Sequence, residues 1–216
     1  MCAMWIDAHC HTRHSYDNWL EPVDLLRRAA ALGLDGVCIT EHYSVEASAG
    51  IEALGRDEGV LVLRGVEIST DRGHLLAYGI DDDGWNIWNR DNYLPMQQVI
   101  DRINDLGGIC VPAHPFRRIG VSSLLDGVFE LRGLAAVETH NGGNALAVNE
   151  LAQSAAARLS LPGLGGSDCH KVDAVGRCAT RVELPVANMA DFVAAIRGGA
   201  CRGAYFAPAA RDGASS

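Results

Sequence analysis

Short apolar runs that end in a histidine or a carboxylate recur along this chain, and that recurrence constrains the fold more than any other feature. Met4–Ala8 leads into His9 and His11, and Gly36–Thr40 into Glu41 and His42. Val60–Glu67 ends on Glu67, and His74 opens the short run to Gly79. Gly108–Ala113 leads into His114, Ala135–Glu138 is followed by His140, and Pro162–Gly166 is followed by Asp168 and His170. Each run has the length and composition of a strand.

Helical patterns lie between the runs. Pro22 to Leu32 reads as a helix, with Pro22 at its first position and Gly33 just past its end. Val45–Glu58 is a weaker helical stretch, interrupted by Gly50 and Gly55. Pro95–Leu106 carries Met96, Val99, Ile100 and Ile103 at helical spacing. Ser122–Leu131 is a short helix and Ala145–Leu159 a long one. Thr180–Leu184 and Met189–Arg197 add a strand and a helix. This alternation predicts a mainly parallel sheet covered by helices. In a β/α barrel the C-terminal strand ends converge on one face, whereas in an open sheet they lie along a line. A single cluster of polar strand ends therefore predicts a closed barrel.

Length and charge narrow the options. A chain of 216 residues, 48% hydrophobic, fits one domain. Residues 1–207 are expected to form it, with 208–216 as a flexible tail. The net charge is −9 and Lys171 is the single lysine, which disfavours extended nucleic-acid or membrane surfaces. No apolar run is long enough to span a bilayer. Seven cysteines, an odd number, with no signal peptide, are expected to be reduced thiols in a cytoplasmic protein.

The polar strand ends have the chemistry of metal ligands. In His9-Cys10-His11 and Asp168-Cys169-His170, residues two apart point to one side of a strand end. Mixed histidine and carboxylate ligands suit zinc, manganese or iron. A lone histidine is as often structural as functional. Six or more at strand ends are harder to explain without metal, because unpaired buried charges each cost several kcal/mol. Cys10 and Cys169, lying between ligands, are expected to point away into the wall as small buried hydrophobes.

The segments Asp7-Ala8-His9-Cys10-His11-Thr12, Ile39-Thr40-Glu41-His42, Gly65-Val66-Glu67-Ile68, Ala113-His114-Pro115 and Gly166-Ser167-Asp168-Cys169-His170 together resemble the motifs of the PHP (polymerase and histidinol phosphatase) family, in the family's order. The resemblance spans Met4 to about Arg202. It implies a distorted (β/α)7 TIM-like barrel with a centre of two or three divalent metals. Carried over by position, one metal takes His9, His11, Glu67 and Asp168. A second shares Glu67 and adds His74 and His114. A third takes Asp17, His42 and His170. Ser15-Tyr16-Asp17 sets the acid one residue later than the family's commoner pattern, so His14 is an alternative third-site ligand. Glu41 replaces the usual aspartate and is expected to orient a ligand from behind.

The implied activity is a metal-dependent phosphoesterase acting on a small phosphorylated substrate, nucleotide-like or histidinol-phosphate-like. Glu67, Asp168 and His170 are its candidate catalytic residues. Paired metals can activate a water and clamp the phosphoryl oxygens. Arg117, Arg118, His140 and Asn141 are candidate substrate-binding residues, with Arg117 favoured as a bidentate phosphate clamp. Three alternatives stand beside this reading. An amidohydrolase would want a bridging lysine, but Lys171 sits beside a ligand. An exonuclease-like phosphodiesterase would want a strand groove, which the acidic charge opposes. A non-catalytic metal-binding regulatory domain would be expected to have lost ligands. From Ile68 to Pro112 only 45 residues are available, too few for a separate lid domain.

Overall fold

A computed structural model describes residues 3–118 and 123–207. Arg118 is the last described residue before the gap; the expected 208–216 tail and the first residue of the Ser122–Leu131 helix lie outside the described residues. The strands are β1 (Met4–Cys10), β2 (Gly36–Ile39), β3 (Leu61–Thr70), β4 (Gly73–Tyr78), β5 (Ile109–Pro112), β6 (Val137–Asn141), β7 (Gly163–Gly166), β8 (Cys178–Val182) and β9 (Cys201–Tyr205). The helices are α1 (Pro22–Leu32), α2 (Ile51–Glu58), α3 (Met96–Asp105), α4 (Leu146–Leu159) and α5 (Met189–Arg197), with short 3-10 turns between some of them.

Seven strands form one curled sheet in the order β5-β4-β3-β2-β1-β8-β9, and β6 and β7 form a separate parallel pair. Residues flanking that pair, Leu134 before β6 and Cys169 after β7, bridge in parallel to Cys110 and Cys10 of the sheet. The architecture is a single α/β domain built on a half-barrel, and a continuous (β/α)7 ladder is not formed. The expectation of a mainly parallel sheet is also corrected. Within the curled sheet only β1–β2 and β2–β3 are parallel, while β3–β4, β4–β5, β1–β8 and β8–β9 are antiparallel. For β3 and β4 the physical reason is connection length. Thr70 pairs directly with Gly73 across a two-residue turn, and a parallel neighbour would need a crossover of a dozen residues or more.

Side-chain alternation divides the concave interior into an apolar floor and a polar end. On β3, Leu63 packs in the interior cluster with Ile6, Leu76, Tyr78, Val111 and Phe192, and Glu67 follows on the same face four residues later. Val66 and Ile68 point the other way, into the cluster beneath α3. On β4 the order is reversed because the strand runs backwards. His74 comes first, then Leu76 and Tyr78 on the same face. This is why His74 begins a strand while the other candidate ligands end theirs. Helices α1 and α2 cover β1 and β2 through Leu25, Leu26, Val37 and Ile39, joined by Cys10 and Cys169.

Candidate metal centre

Glu67 is buried near the end of β3 and reaches the rings of five histidines. Its Oε1 lies 2.9 Å from Nδ1 of His74 and 3.1 Å from Nε2 of His114. Its Oε2 lies 3.1 Å from Nε2 of His11, 3.3 Å from Nδ1 of His42 and 3.4 Å from Nε2 of His9. Around it, donor atoms gather in three groups: His9, His11, Glu67 and Asp168; Glu67, His74 and His114; and Asp17, His42 and His170. Within each group one atom from every residue lies within 4.8 Å of the others. In the third, Oδ2 of Asp17 is 3.3 Å from Nε2 of His170 and 3.5 Å from Nε2 of His42.

Local irregularities aim these side chains. The register of β1 against β2 slips between Asp7 and Cys10, a bulge that turns the strand end just where His9 leaves the apolar floor. His114 and Asp168 both hold left-handed backbone, at φ 30° and 53°. Such conformations cost about 1–3 kcal/mol each and persist where the surroundings enforce them. Here the His114 N–H donates to Oε2 of Glu138 at 2.5 Å, and the Asp168 N–H donates to the His9 carbonyl at 2.7 Å.

The rings are oriented so that lone pairs converge. Nδ1 of His9 lies 2.8 Å from Oε1 of Glu138, and Nδ1 of His11 lies 3.2 Å from the Ser15 hydroxyl. With those nitrogens donating, a neutral ring presents its Nε2 lone pair. The two Nε2 atoms face each other at 3.0 Å and both face a Glu67 oxygen. Nδ1 of His42 is buried and has no hydrogen-bond partner among the described residues. Converging lone pairs around a buried carboxylate repel one another unless protons or a cation lie between them. The donor set therefore fits divalent cations.

The electrostatics point the same way. Burial lowers the pKa of His9, but Glu138, Glu67 and Asp168 outweigh it and hold the ring well above its ordinary 6.5. His11 and His74 are also raised, against burial, by Glu67. Burial would raise Glu67, yet His9, His74 and the other rings hold it well below the usual carboxylate range. Asp168 is lowered against burial by His9 and His114. His42 behaves differently: burial dominates and brings it down to about 4.

A supporting ring holds the donors from behind, and its most connected member escaped the sequence reading. Glu138 on β6 binds His9 and the His114 N–H, and accepts from Nδ2 of Asn141 at 3.0 Å. Its only sequence signal is that it closes the apolar run Ala135–Glu138, two residues before His140. Glu41 accepts from the Thr12 N–H and hydroxyl and from the Ser15 hydroxyl, so it reaches His11 through Ser15. Arg117 donates to Oδ2 of Asp168 at 2.7 Å, to Oδ1 of Asn141 at 2.5 Å and to Oδ1 of Asn144 at 2.7 Å. Its side chain remains 28% exposed.

The other candidates fall as follows. Asn141 is buried beside Asp168, its Nδ2 3.3 Å from Oδ2. His140 instead packs edge-on against Tyr205 at 5.0 Å, with Nδ1 3.0 Å from the Thr139 hydroxyl, and its contacts are outside the cluster. Arg118 and His14 are exposed, and His14 belongs to none of the three groups. Cys10 and Cys169 are buried free thiols turned toward the α1 side.

Comparison with known proteins agrees with this geometry. The model of the PHP domain matches residues 7–106, and the PHP-associated model matches residues 147–201. An uncharacterized protein of Methanocaldococcus jannaschii is 28% identical over 148 residues, covering 64% of this chain and 82% of that one. A 3',5'-nucleoside bisphosphate phosphatase of Chromobacterium violaceum is 35% identical over 80 residues, covering 35% of this chain and 28% of the relative. A probable histidinol-phosphatase of Thermotoga maritima is 33% identical over 72 residues, covering 31% of each. The chain thus matches less than a third of the length of either phosphatase. Among solved structures, PsfC from Pseudomonas syringae superposes with a TM-score of 0.74 at 20% identity, covering 96% of this chain and 93% of that one. A candidate metal-dependent phosphoesterase of Bifidobacterium adolescentis gives 0.60 at 21% identity, covering 77% and 87%. With both family models matched in order and most of the candidate ligands inside the matched stretches, the chain belongs to the PHP family.

Proposed function

We propose that this protein is a metal-dependent phosphoesterase that hydrolyses a small phosphate ester. The observation that carries the reading is Glu67, whose two carboxylate oxygens face separate sets of histidine rings. A carboxylate so placed can be shared by two cations, which is the arrangement an in-line phosphoryl displacement uses. His9, His11, Glu67 and Asp168 would hold one ion, Glu67, His74 and His114 a second, and Asp17, His42 and His170 a third, with zinc, manganese and iron as the candidates. When bound, the ions supply Lewis-acid chemistry, lowering the pKa of water and neutralising phosphoryl charge.

The chain's own groups do the rest. Glu138 and Ser15 keep Nδ1 of His9 and His11 engaged, so that both rings present Nε2 inward. Arg117 is the guanidinium nearest the cluster, and its fork can grip a phosphoryl group beside Asp168. Asp168, held ionised by His9 and His114, is placed to accept a hydrogen bond from an attacking water, and His170 adjoins the same space. The phosphatase relatives support an ester substrate, and the net charge of −9 supports a small one over an extended nucleic acid. The test is phosphate release from a panel of monoesters and diesters by protein stripped of metal and reloaded with zinc, manganese or iron. Turnover that appears only on reloading is expected, and no turnover with any ion would refute the reading.

A further inference from the structure

A cavity of about 600 Å³ opens beside the third donor group, and its wall is unlike the centre itself. His170 forms one side. Trp19, Leu20 and Val172 supply apolar surface, and Arg28 and Lys171 supply positive charge. Trp19 is 90% exposed, although an indole is among the side chains that gain most from burial. It stands on the loop between β1 and α1, only two residues beyond Asp17 of the third group.

The charges around this cavity can be accounted for. Arg27 is engaged by Glu58 at 3.1 Å, and Glu21 by Arg13 at 3.2 Å. Asp24 lies in the first turn of α1, where a carboxylate complements the helix dipole. Two cations remain. Nε of Arg28 is buried with no hydrogen-bond partner among the described residues, and Lys171 forms no ion pair among them. In a chain of net charge −9, two unpaired cations against one unpaired carboxylate leave this cavity net positive beside a bare indole, which suits a flat anion.

We infer that this cavity is the subsite for the alcohol portion of the ester, and that it selects a flat ring bearing a second negative charge. The ring would lie on Trp19 and the second charge would meet Arg28 and Lys171, while the phosphoryl group sits past His170 at the metal centre. The inference rests on the phosphoesterase reading and adds the class of substrate. It involves no new covalent step.

Three esters separate the contributions: 4-carboxyphenyl phosphate has the ring and the charge, phenyl phosphate the ring alone, and glycerol 2-phosphate neither. The quantity read is kcat/KM for each aryl ester relative to glycerol 2-phosphate, in metal-loaded wild type, Trp19→Ala and Lys171→Gln. Loss of one stacking partner should lower both ratios by about tenfold in Trp19→Ala, through KM. Lys171→Gln should lower the ratio for 4-carboxyphenyl phosphate several-fold and leave that for phenyl phosphate in place. If wild type turns over glycerol 2-phosphate but neither variant changes either ratio, the subsite is wrong and the phosphoesterase reading stands. If wild type turns over none of the three, calorimetric titration with the non-hydrolysable 4-phosphonobenzoate decides. Binding that weakens in Trp19→Ala upholds the subsite independently of activity, and absence of binding to wild type overturns it.

Discussion

Glu138 on β6 reaches Nδ1 of His9 on β1 at 2.8 Å while its other oxygen accepts the backbone N–H of His114, so one carboxylate couples donors from two of the three groups. Neither bond is to a prospective metal. The residue acts through the ring it orients and the strained turn it holds. Replacing it should therefore loosen the centre without removing a ligand. Glu138→Gln is expected to weaken metal affinity by about 10–100-fold, the usual cost of losing a partner behind a ligating histidine. Competition against a chromophoric chelator measures this, and circular dichroism should show an intact fold.

Gly166 couples the packing of β7 to the same centre. A Cβ built there would lie 2.3 Å from the His9 Cβ and 2.6 Å from its backbone nitrogen, closer than real atoms approach. Gly166→Ala must push β7 from β1 or turn His9 out of line. Overpacking of this kind costs about 1–3 kcal/mol. Denaturant unfolding should show that loss, accompanied by reduced metal content; wild-type stability would mean the two strands have slack the structure does not contain.

The sequence was legible where local chemistry decides the structure. Helix α1 begins at Pro22 and ends before a left-handed Gly33, as proline and glycine at those positions require, and α5 also keeps its expected bounds. Gly50, at φ 90°, breaks the Val45–Glu58 stretch into a 3-10 turn and α2. Strand direction was not legible. The turn at Asp71-Arg72 has no Asn-Gly signature, and β4 shows the same apolar pattern whichever way it runs. β9 was missed because Arg202 and Gly203 weaken its pattern. Gly203 lies against the Leu164 carbonyl, a close approach visible only in three dimensions. Most donor residues were legible because they end or begin an apolar run, while Asp17, in a loop, was carried by the family resemblance; Glu138 also closes an apolar run, but its supporting role shows only in its contacts with His9 and His114.

Arg117 gives a prediction that separates substrate binding from metal binding. Guanidinium has no lone pair to ligate with, so Arg117→Ala should retain metal. It should lose about 1.5–3 kcal/mol in kcat/KM, the worth of a hydrogen bond to a charged group. Arg117→Lys should recover part of that loss, because a point charge cannot reproduce the fork. Steady-state kinetics with parallel elemental analysis distinguishes the outcomes. Unchanged kinetics in Arg117→Ala would remove the phosphate clamp from the account.

The protonation of the rings sets an opposite pH response in the metal-free and metal-loaded protein. Without metal, His9, His11 and His74 have folded pKa values raised above 6.5, so their contribution to stability is full below 6.5 and is lost as pH rises through the raised values. Glu67 and Asp168 are depressed and contribute fully above their ordinary range, so they do not change in this window. His42 and His114 are lowered and stay neutral above 6.5. The metal-free Tm should therefore fall as pH is raised above 6.5. Metal binding displaces those protons, so the metal-loaded protein should gain Tm relative to the metal-free form over the same interval. Differential scanning calorimetry across that interval checks the sign of both slopes.

Elemental analysis of the purified protein beside its Glu67→Gln variant shows whether this carboxylate is shared between two ions. Glu67 is the one carboxylate common to two of the donor groups, and the amide keeps its shape while removing its charge. Two or three divalent ions per wild-type chain are expected, natively or on reconstitution. The variant should lose metal and phosphate-ester turnover together, because two ions give up a shared anionic ligand. A wild-type protein holding less than one equivalent and taking up none, or a Glu67→Gln variant with full occupancy and near-normal turnover, would contradict that sharing.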